Sequence, residues 1–114
     1  MKGKKRKQDY VRPFYSLKEV RTLIETERVL VTVNALVKAQ KDFGWGMDDI
    51  LNAVKSLRLK DFHKYEQARI DPKIVVDFYK AYGLKGEDVY THFYIDDETG
   101  TLIINSFKKI EGMP

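Results

Sequence analysis

The segment DVYTHFYI, residues 88–95, alternates apolar side chains with tyrosine and histidine. In a β-strand this alternation places Tyr90, His92 and Tyr94 on one face and Val89, Thr91, Phe93 and Ile95 on the other. An imidazole titrates near neutral pH, a phenol can donate a proton, and aromatic rings stack on unpaired bases. The pattern therefore indicates a strand whose outer face could transfer protons or bind RNA.

Lysines from two other segments could join this face. Lys64 lies in KDFHKYE and Lys108 in LIINSFKK. Strict alternation places Lys64 on the same side as Phe62, and Lys108 on the same side as Leu102 and Ile104. If helices cover one face of the sheet, the open face gathers the cations and aromatic planes that an RNA-binding surface needs. The alternative is an exposed face rich in Tyr, Lys and Thr for solubility alone.

Three helices are predicted in the first half of the chain. Ser16 is a suitable N-cap for the first, and its apolar residues recur at helical spacing. Thr32 follows a short β-like run and can cap the second helix, which Gly44 ends. Asp48 is predicted to cap the third. These apolar stripes indicate a helical layer that packs on a core.

The second half of the chain predicts strands. Residues 59–69 are compatible with an edge strand, and residues 73–84 are rich in β-branched and aromatic side chains. Residues 88–95 and 101–108 predict a hairpin in which Gly100 supplies a positive φ. The expected fold class is therefore α+β, with an antiparallel sheet formed mainly by the C-terminal half and packed against the N-terminal helices.

Composition limits the possible functions. Residues 1–12 contain six basic and one acidic side chain, a formal charge of +5, whereas the remaining 15 basic and 16 acidic side chains leave −1. We therefore expect a basic flexible tail at 1–12 and a single domain at 13–114. With no cysteine and two histidines, we expect no disulfide, metal site or cofactor. No segment predicts a membrane helix or a signal peptide, which fits a cytoplasmic protein.

Several segments occur in an order that resembles the MqsR family of toxins from type II toxin–antitoxin systems. The resemblance covers about residues 15–109 and rests on this ordered set: YSLKEVRTLI, VTVNALVKAQKDFG, DDILNAVKSLRLKDFHK, DFYK, DVYTHFYI and LIINSFK. It implies a RelE-like fold and an endoribonuclease, an mRNA interferase, that cuts messenger RNA at short GC-containing sequences. It also implies a cognate antitoxin as protein partner.

The resemblance extends to individual positions. Lys64 matches the lysine of the family's DFxK motif, Tyr90 the tyrosine of its VY motif, and Lys108 the lysine that ends SFK. The resemblance thus implies that these three residues form a catalytic group.

Three positions depart from the family. Val76 stands where the family has a glutamine, and valine cannot hydrogen-bond RNA. Lys80 replaces an arginine, which keeps the charge but loses the bidentate fork. His92 replaces a lysine. These departures bear on substrate preference.

Cleavage without a metal would use the 2′-hydroxyl of the RNA as the nucleophile. Our hypothesis assigns the charge of the pentacoordinate phosphorane to Lys64 and Lys108 and the proton transfer to Tyr90, with His92 as the alternative. Lys80 and Tyr94 are predicted to bind RNA. The alternative hypothesis is a non-catalytic module of the same fold that binds RNA or protein.

Overall fold

The computed structural model describes residues 12–111, which form an α+β fold of three helices and a five-stranded sheet. The predicted tail at 1–12 lies outside the described residues except for Arg12. In chain order the elements are α1 (Leu17–Glu25), β1 (Val29–Val31), α2 (Val33–Phe43), α3 (Met47–Lys55), a 3₁₀ turn (Leu59–Asp61), β2 (Phe62–Gln67), β3 (Val75–Leu84), β4 (Glu87–Asp96) and β5 (Thr101–Lys109).

The helices begin and end largely where the sequence predicted. The side chains of Ser16 and Thr32 each accept a hydrogen bond from a backbone N–H in the first turn, and Gly44 ends α2 with a left-handed φ of 73°. The third predicted helix is also present as α3, but its predicted N-cap was wrong. Its N-cap is Gly46 rather than Asp48, and the carboxylate of Asp49 accepts a hydrogen bond from the Gly46 N–H.

The sheet has the order β1-β5-β4-β3-β2. All neighbours pair antiparallel except β1 and β5, which are parallel, so the predicted antiparallel arrangement holds for the four C-terminal strands. The three helices and one face of the sheet share a single hydrophobic core cluster. The opposite face, here called the open face, has no helix packed on it among the described residues. Within residues 12–111 no helix is long and apolar enough to cross a membrane.

The predicted faces of β4 are confirmed. Val89, Thr91, Phe93 and Ile95 are all buried on the helix side, while Tyr90, His92 and Tyr94 are half-buried on the open face. The turn after β4 contains Gly100 with φ of 69°, as predicted.

Two β-bulges correct the side assignments for the lysines. In β2 the register shifts between Phe62 and Lys64, so Phe62 pairs with the buried Tyr79 and Lys64 pairs with Phe78. Phe62 therefore packs against the core, whereas Lys64 lies on the open face, contrary to the predicted shared side.

The second bulge is in β5. His92 pairs with Ser106, but Phe93 pairs with Ile104, which leaves Asn105 as the extra residue. The bulge reverses the alternation beyond this point. Phe107 is consequently buried, and Lys108 lies on the open face rather than on the side of Leu102 and Ile104.

Candidate active site

Most of the residues singled out from the sequence lie in two rows of paired residues that cross the strands of the open face. In one row, Lys80 of β3 pairs with Tyr90 of β4, which pairs with Lys108 of β5. In the next row, Lys64, Phe78, His92 and Ser106 are paired in succession across β2 to β5. The fold therefore brings together four residues from three strands, β2, β4 and β5: Lys64, Tyr90, His92 and Lys108.

Aromatic rings hold the two lysine ammonium groups in place. Lys64 Nζ lies 5.1 Å from the centre of the Phe78 ring, and Lys108 Nζ lies 5.4 Å from the centre of the Tyr90 ring. The two ring centres are 6.4 Å apart. Cations over ring faces are attracted by the aromatic quadrupole. The arrangement thus keeps two positive charges on either side of one aromatic pair.

His92 lies against the same rings. Its ring centre is 4.8 Å from that of Phe78 and 5.9 Å from that of Tyr90. Its Nδ1 lies 2.8 Å from Asn105 Oδ1. Because an amide oxygen only accepts hydrogen bonds, Nδ1 carries the proton and Nε2 is left with a lone pair. His92 is therefore oriented as a hydrogen-bond acceptor and base through Nε2.

The surroundings of His92 and Tyr90 favour the neutral form of each. Burial lowers the pKa of His92, an effect that the Lys108 charge adds to and the Asn105 hydrogen bond opposes. Burial raises the pKa of Tyr90, although the nearby Lys64 charge acts in the opposite direction. At neutral pH the site consequently holds a neutral imidazole beside a protonated phenol, a base next to an acid.

Lys64 also forms an ion pair. Its Nζ lies 2.7 Å from Glu66 Oε2, and the lysine lowers the pKa of that carboxyl group. Both side chains project from β2 on the open face, two residues apart. An anion that approaches Lys64 therefore competes with Glu66.

The remaining predicted residues lie around this group. Lys80 lines a shallow cavity of about 230 Å³ together with Tyr90, Lys108, Ile110 and Glu111. Tyr94 lies further along β4 and packs in part against the core cluster, which leaves part of its ring exposed.

Val76 has the open-face parity of β3 and pairs with Glu66. It is only 7% exposed, yet it does not belong to the core cluster between helices and sheet. This chain therefore presents a covered apolar side chain beside the site at this position.

Three residues of the site were missed by sequence reasoning. Phe78 was treated only as part of a β-rich run, although it contacts Lys64, Tyr90 and His92. Its alternation with Lys80 could have revealed its side. Glu66 could have been found from its i+2 spacing to Lys64. Asn105 carried no usable signal, because its position depends on the bulge.

The fold and this site define an α+β protein whose open sheet face gathers cations and titratable groups around a cluster of aromatic rings. Comparison with protein families identifies the family. Residues 12–109 match the model described as motility quorum-sensing regulator, toxin of MqsA, and the chain belongs to this family. A search of curated proteins gave no match. Family membership implies a toxin of a toxin–antitoxin system and an antitoxin partner, for which the family description names MqsA.

Proposed function

We propose that the chain is a metal-independent endoribonuclease, an mRNA interferase that acts in the cytoplasm and is silenced by its antitoxin. The observation that supports this most is the group formed by Lys64, Tyr90, His92 and Lys108 on one face. It combines two cations, a protonated phenol and a neutral imidazole, which are the groups needed to cleave RNA with its own 2′-hydroxyl.

The two lysines provide the electrostatic part. Attack on the phosphodiester gives a pentacoordinate phosphorane with an additional negative charge. Lys64 and Lys108 approach this charge from opposite sides of the Phe78–Tyr90 pair. Cations that are already oriented before the reaction stabilise the developing charge without reorganisation.

The proton transfers follow from the protonation states of His92 and Tyr90. His92 Nε2 removes the proton from the 2′-hydroxyl, and a bond forms between O2′ and phosphorus. The bond between phosphorus and O5′ breaks, and Tyr90 donates its phenolic proton to O5′. The products are a 2′,3′-cyclic phosphate and a 5′-hydroxyl. Exchange with solvent returns the imidazolium and the tyrosinate to their starting states.

Substrate binding uses the neighbouring residues. Lys80 contacts a flanking phosphate from the cavity that it shares with Tyr90 and Lys108, and the exposed part of Tyr94 stacks on a base. Cleavage at GC-containing sequences is proposed from the family resemblance. Val76 lacks the hydrogen-bonding capacity of the family's glutamine and is covered, so base preference in this chain comes from side chains other than Val76.

The experiment compares variants on messenger RNA in the presence of EDTA, with the cleavage ends mapped. We expect cuts with 2′,3′-cyclic phosphate ends for the wild type. Lys64→Ala and Tyr90→Phe should each reduce the rate by about 10²-fold or more. Lys73→Ala, an exposed lysine in the β2–β3 turn, is the matched control and should retain the wild-type rate. Equal rates for wild type and both site variants would overturn the proposal.

The second candidate is a non-catalytic RNA-binding module. The covered Val76 and the Lys64–Glu66 ion pair favour it, because both reduce the capacity of the face to engage RNA. This candidate is established if RNA stays intact in the same assay while binding at low salt is measurable. Negligible RNA affinity at low salt would instead support a protein-binding module.

A further inference from the structure

A second concave surface lies between the start of α1 and the 3₁₀ turn that follows α3. It has a volume of about 690 Å³ and is here called the N-terminal groove. Its lining residues come from positions 12–21 and 58–59, and none of them belongs to the open face. The groove is therefore a separate surface that the proposed RNA site does not use.

The charges of the groove are all of one sign. Four basic side chains line it, and among its lining residues none is acidic: the basic residues are Arg12, Lys18, Arg21 and Arg58. Arg21 is fixed, because Nε donates to the Lys55 carbonyl at 3.0 Å and Nη2 to the Leu57 carbonyl at 2.8 Å. The Arg58 side chain lies 3.9 Å from Asp61 but remains 61% exposed. The groove therefore presents positive charge that further anions can approach.

The rest of the groove is apolar. Phe14 and Leu59 are 55% and 62% exposed, and Leu17 lies among the lining residues. Phe14 is held in this position, because its backbone N–H donates to Asp77 Oδ1 at 2.9 Å and its ring packs edge-on against Tyr15. A fixed, exposed aromatic ring beside an exposed leucine is typical of a docking site for a large apolar side chain.

The charge and the apolar surface of the groove favour one of three possible occupants. Residues 1–11 carry five basic side chains and one acidic side chain, so the chain's own N-terminus has the same charge as the groove. Single-stranded RNA would find cations but only one aromatic plane, since Leu17 and Leu59 cannot stack on bases. An acidic polypeptide segment with a large apolar side chain satisfies both the charges and the apolar surface.

We propose that the N-terminal groove binds an acidic segment of the antitoxin that family membership implies. A large apolar side chain of that segment packs between Phe14 and Leu59. Its carboxylates pair with Arg12, Lys18 and Arg58 around this contact. Because no open-face residue lines the groove, this contact forms independently of the RNA site.

The test measures binding of the purified full-length toxin to its cognate antitoxin. The variant Arg12→Glu/Lys18→Glu reverses two exposed charges, and Leu59→Ser removes the apolar contact. We expect the charge-reversal variant to bind the antitoxin about 100-fold more weakly and Leu59→Ser about tenfold more weakly. Lys41→Glu/Lys73→Glu is the matched control, because it makes the same change in net charge at exposed positions outside the groove. It should bind within about threefold of the wild type.

Two further measurements keep the outcomes separate. Thermal unfolding of each variant verifies that the fold is intact, which is expected because the three substituted side chains are exposed. Binding of a 2′-O-methyl RNA that cannot be cleaved should be unchanged in Leu59→Ser. Unaltered antitoxin affinity in both groove variants would overturn the proposal, and so would a loss confined to RNA binding. The readout does not depend on nuclease activity, so an inactive wild type leaves this test valid.

Discussion

The backbone N–H of Tyr15 donates to the buried carboxylate of Asp77 across 2.9 Å, and so joins the N-terminal segment to the middle of β3. The Phe14 N–H donates to the other oxygen of the same carboxylate at 2.9 Å. These bonds favour the charged form of Asp77, but its burial outweighs them and raises its pKa to about 6. The backbone of Phe14, whose side chain lines the N-terminal groove, is therefore anchored by an acid that titrates close to neutral pH.

This anchor predicts a pH-dependent loss of stability. The folded-state pKa of Asp77 lies above the ordinary value of 3.8 for this carboxyl group, so the folded protein binds the proton more tightly than the unfolded chain does. The free energy of unfolding therefore decreases as pH rises from about 4 to about 6. For the wild type relative to Asp77→Asn, which cannot ionise, we expect a decrease of about 3 kcal/mol.

Urea denaturation of both proteins at several pH values measures this difference. Taking the difference cancels the other titrating groups, which both proteins share. A wild-type stability that stays level or rises relative to Asp77→Asn over this interval contradicts the assigned pKa of Asp77.

Removing the Tyr79 hydroxyl is predicted to raise the stability of the fold. Tyr79 is fully buried, its ring stacks on Phe93 at 5.3 Å, and its hydroxyl has no hydrogen-bond partner within the described residues. Tyr79→Phe removes this unpaired polar group and keeps the ring, so the free energy of unfolding should rise by about 1 kcal/mol. Tyr15→Phe is the matched comparison, because the Tyr15 hydroxyl donates to the Val75 carbonyl at 2.7 Å.

Tyr15→Phe should lower the free energy of unfolding by about 1 kcal/mol, since a formed hydrogen bond is lost. Chemical denaturation of the two variants beside the wild type separates the two cases. A destabilised Tyr79→Phe would mean that its hydroxyl is hydrogen-bonded in solution.

Asn105 predicts a shift in the pH profile of RNA cleavage. Its side-chain oxygen keeps the proton of His92 on Nδ1 and favours the charged imidazole. Asn105→Ala should therefore lower the pKa of His92 and reduce kcat/KM at neutral pH by about tenfold. The ¹⁵N chemical shifts of the His92 ring report its tautomer in the same variant, independently of activity.

Asn105→Asp retains an acceptor oxygen at this position and should restore the Nδ1-protonated tautomer with a raised His92 pKa. An unchanged tautomer and an unchanged pH profile in Asn105→Ala would show that Asn105 does not position His92.

The order of the elements was predictable because it depends on local signals. Ser16, Thr32 and Gly44 define helix ends through the backbone N–H and C=O groups that they satisfy, or through a left-handed φ. The two faces of β4 followed from simple alternation, because no bulge interrupts that strand. The α+β class then follows from the separation of helices and strands along the chain.

The side on which the lysines lie was not predictable in the same way. A bulge adds one residue to a strand and inverts the alternation after it. His63 and Asn105 occupy these extra positions, and neither residue type marks a bulge by itself. Lys64 and Lys108 reach the open face only because of these two irregularities. The family resemblance had singled out both lysines, but their common side depends on pairing between strands that are distant in sequence.

Glu66 provides a prediction about RNA affinity. Its carboxylate lies 2.7 Å from Lys64 Nζ. It therefore forms an ion pair with the lysine that, in the proposed mechanism, contacts the phosphate. Glu66→Gln removes both this competition and a negative charge from the open face. Because exposed ion pairs contribute little, affinity for a 2′-O-methyl RNA at low salt should rise by about two- to fivefold.

Glu25→Gln on α1 makes the same change in net charge away from the open face and should leave the affinity close to that of the wild type. If both variants raise the affinity equally, net charge alone is responsible and Glu66 does not control Lys64. If neither does, RNA does not bind at Lys64.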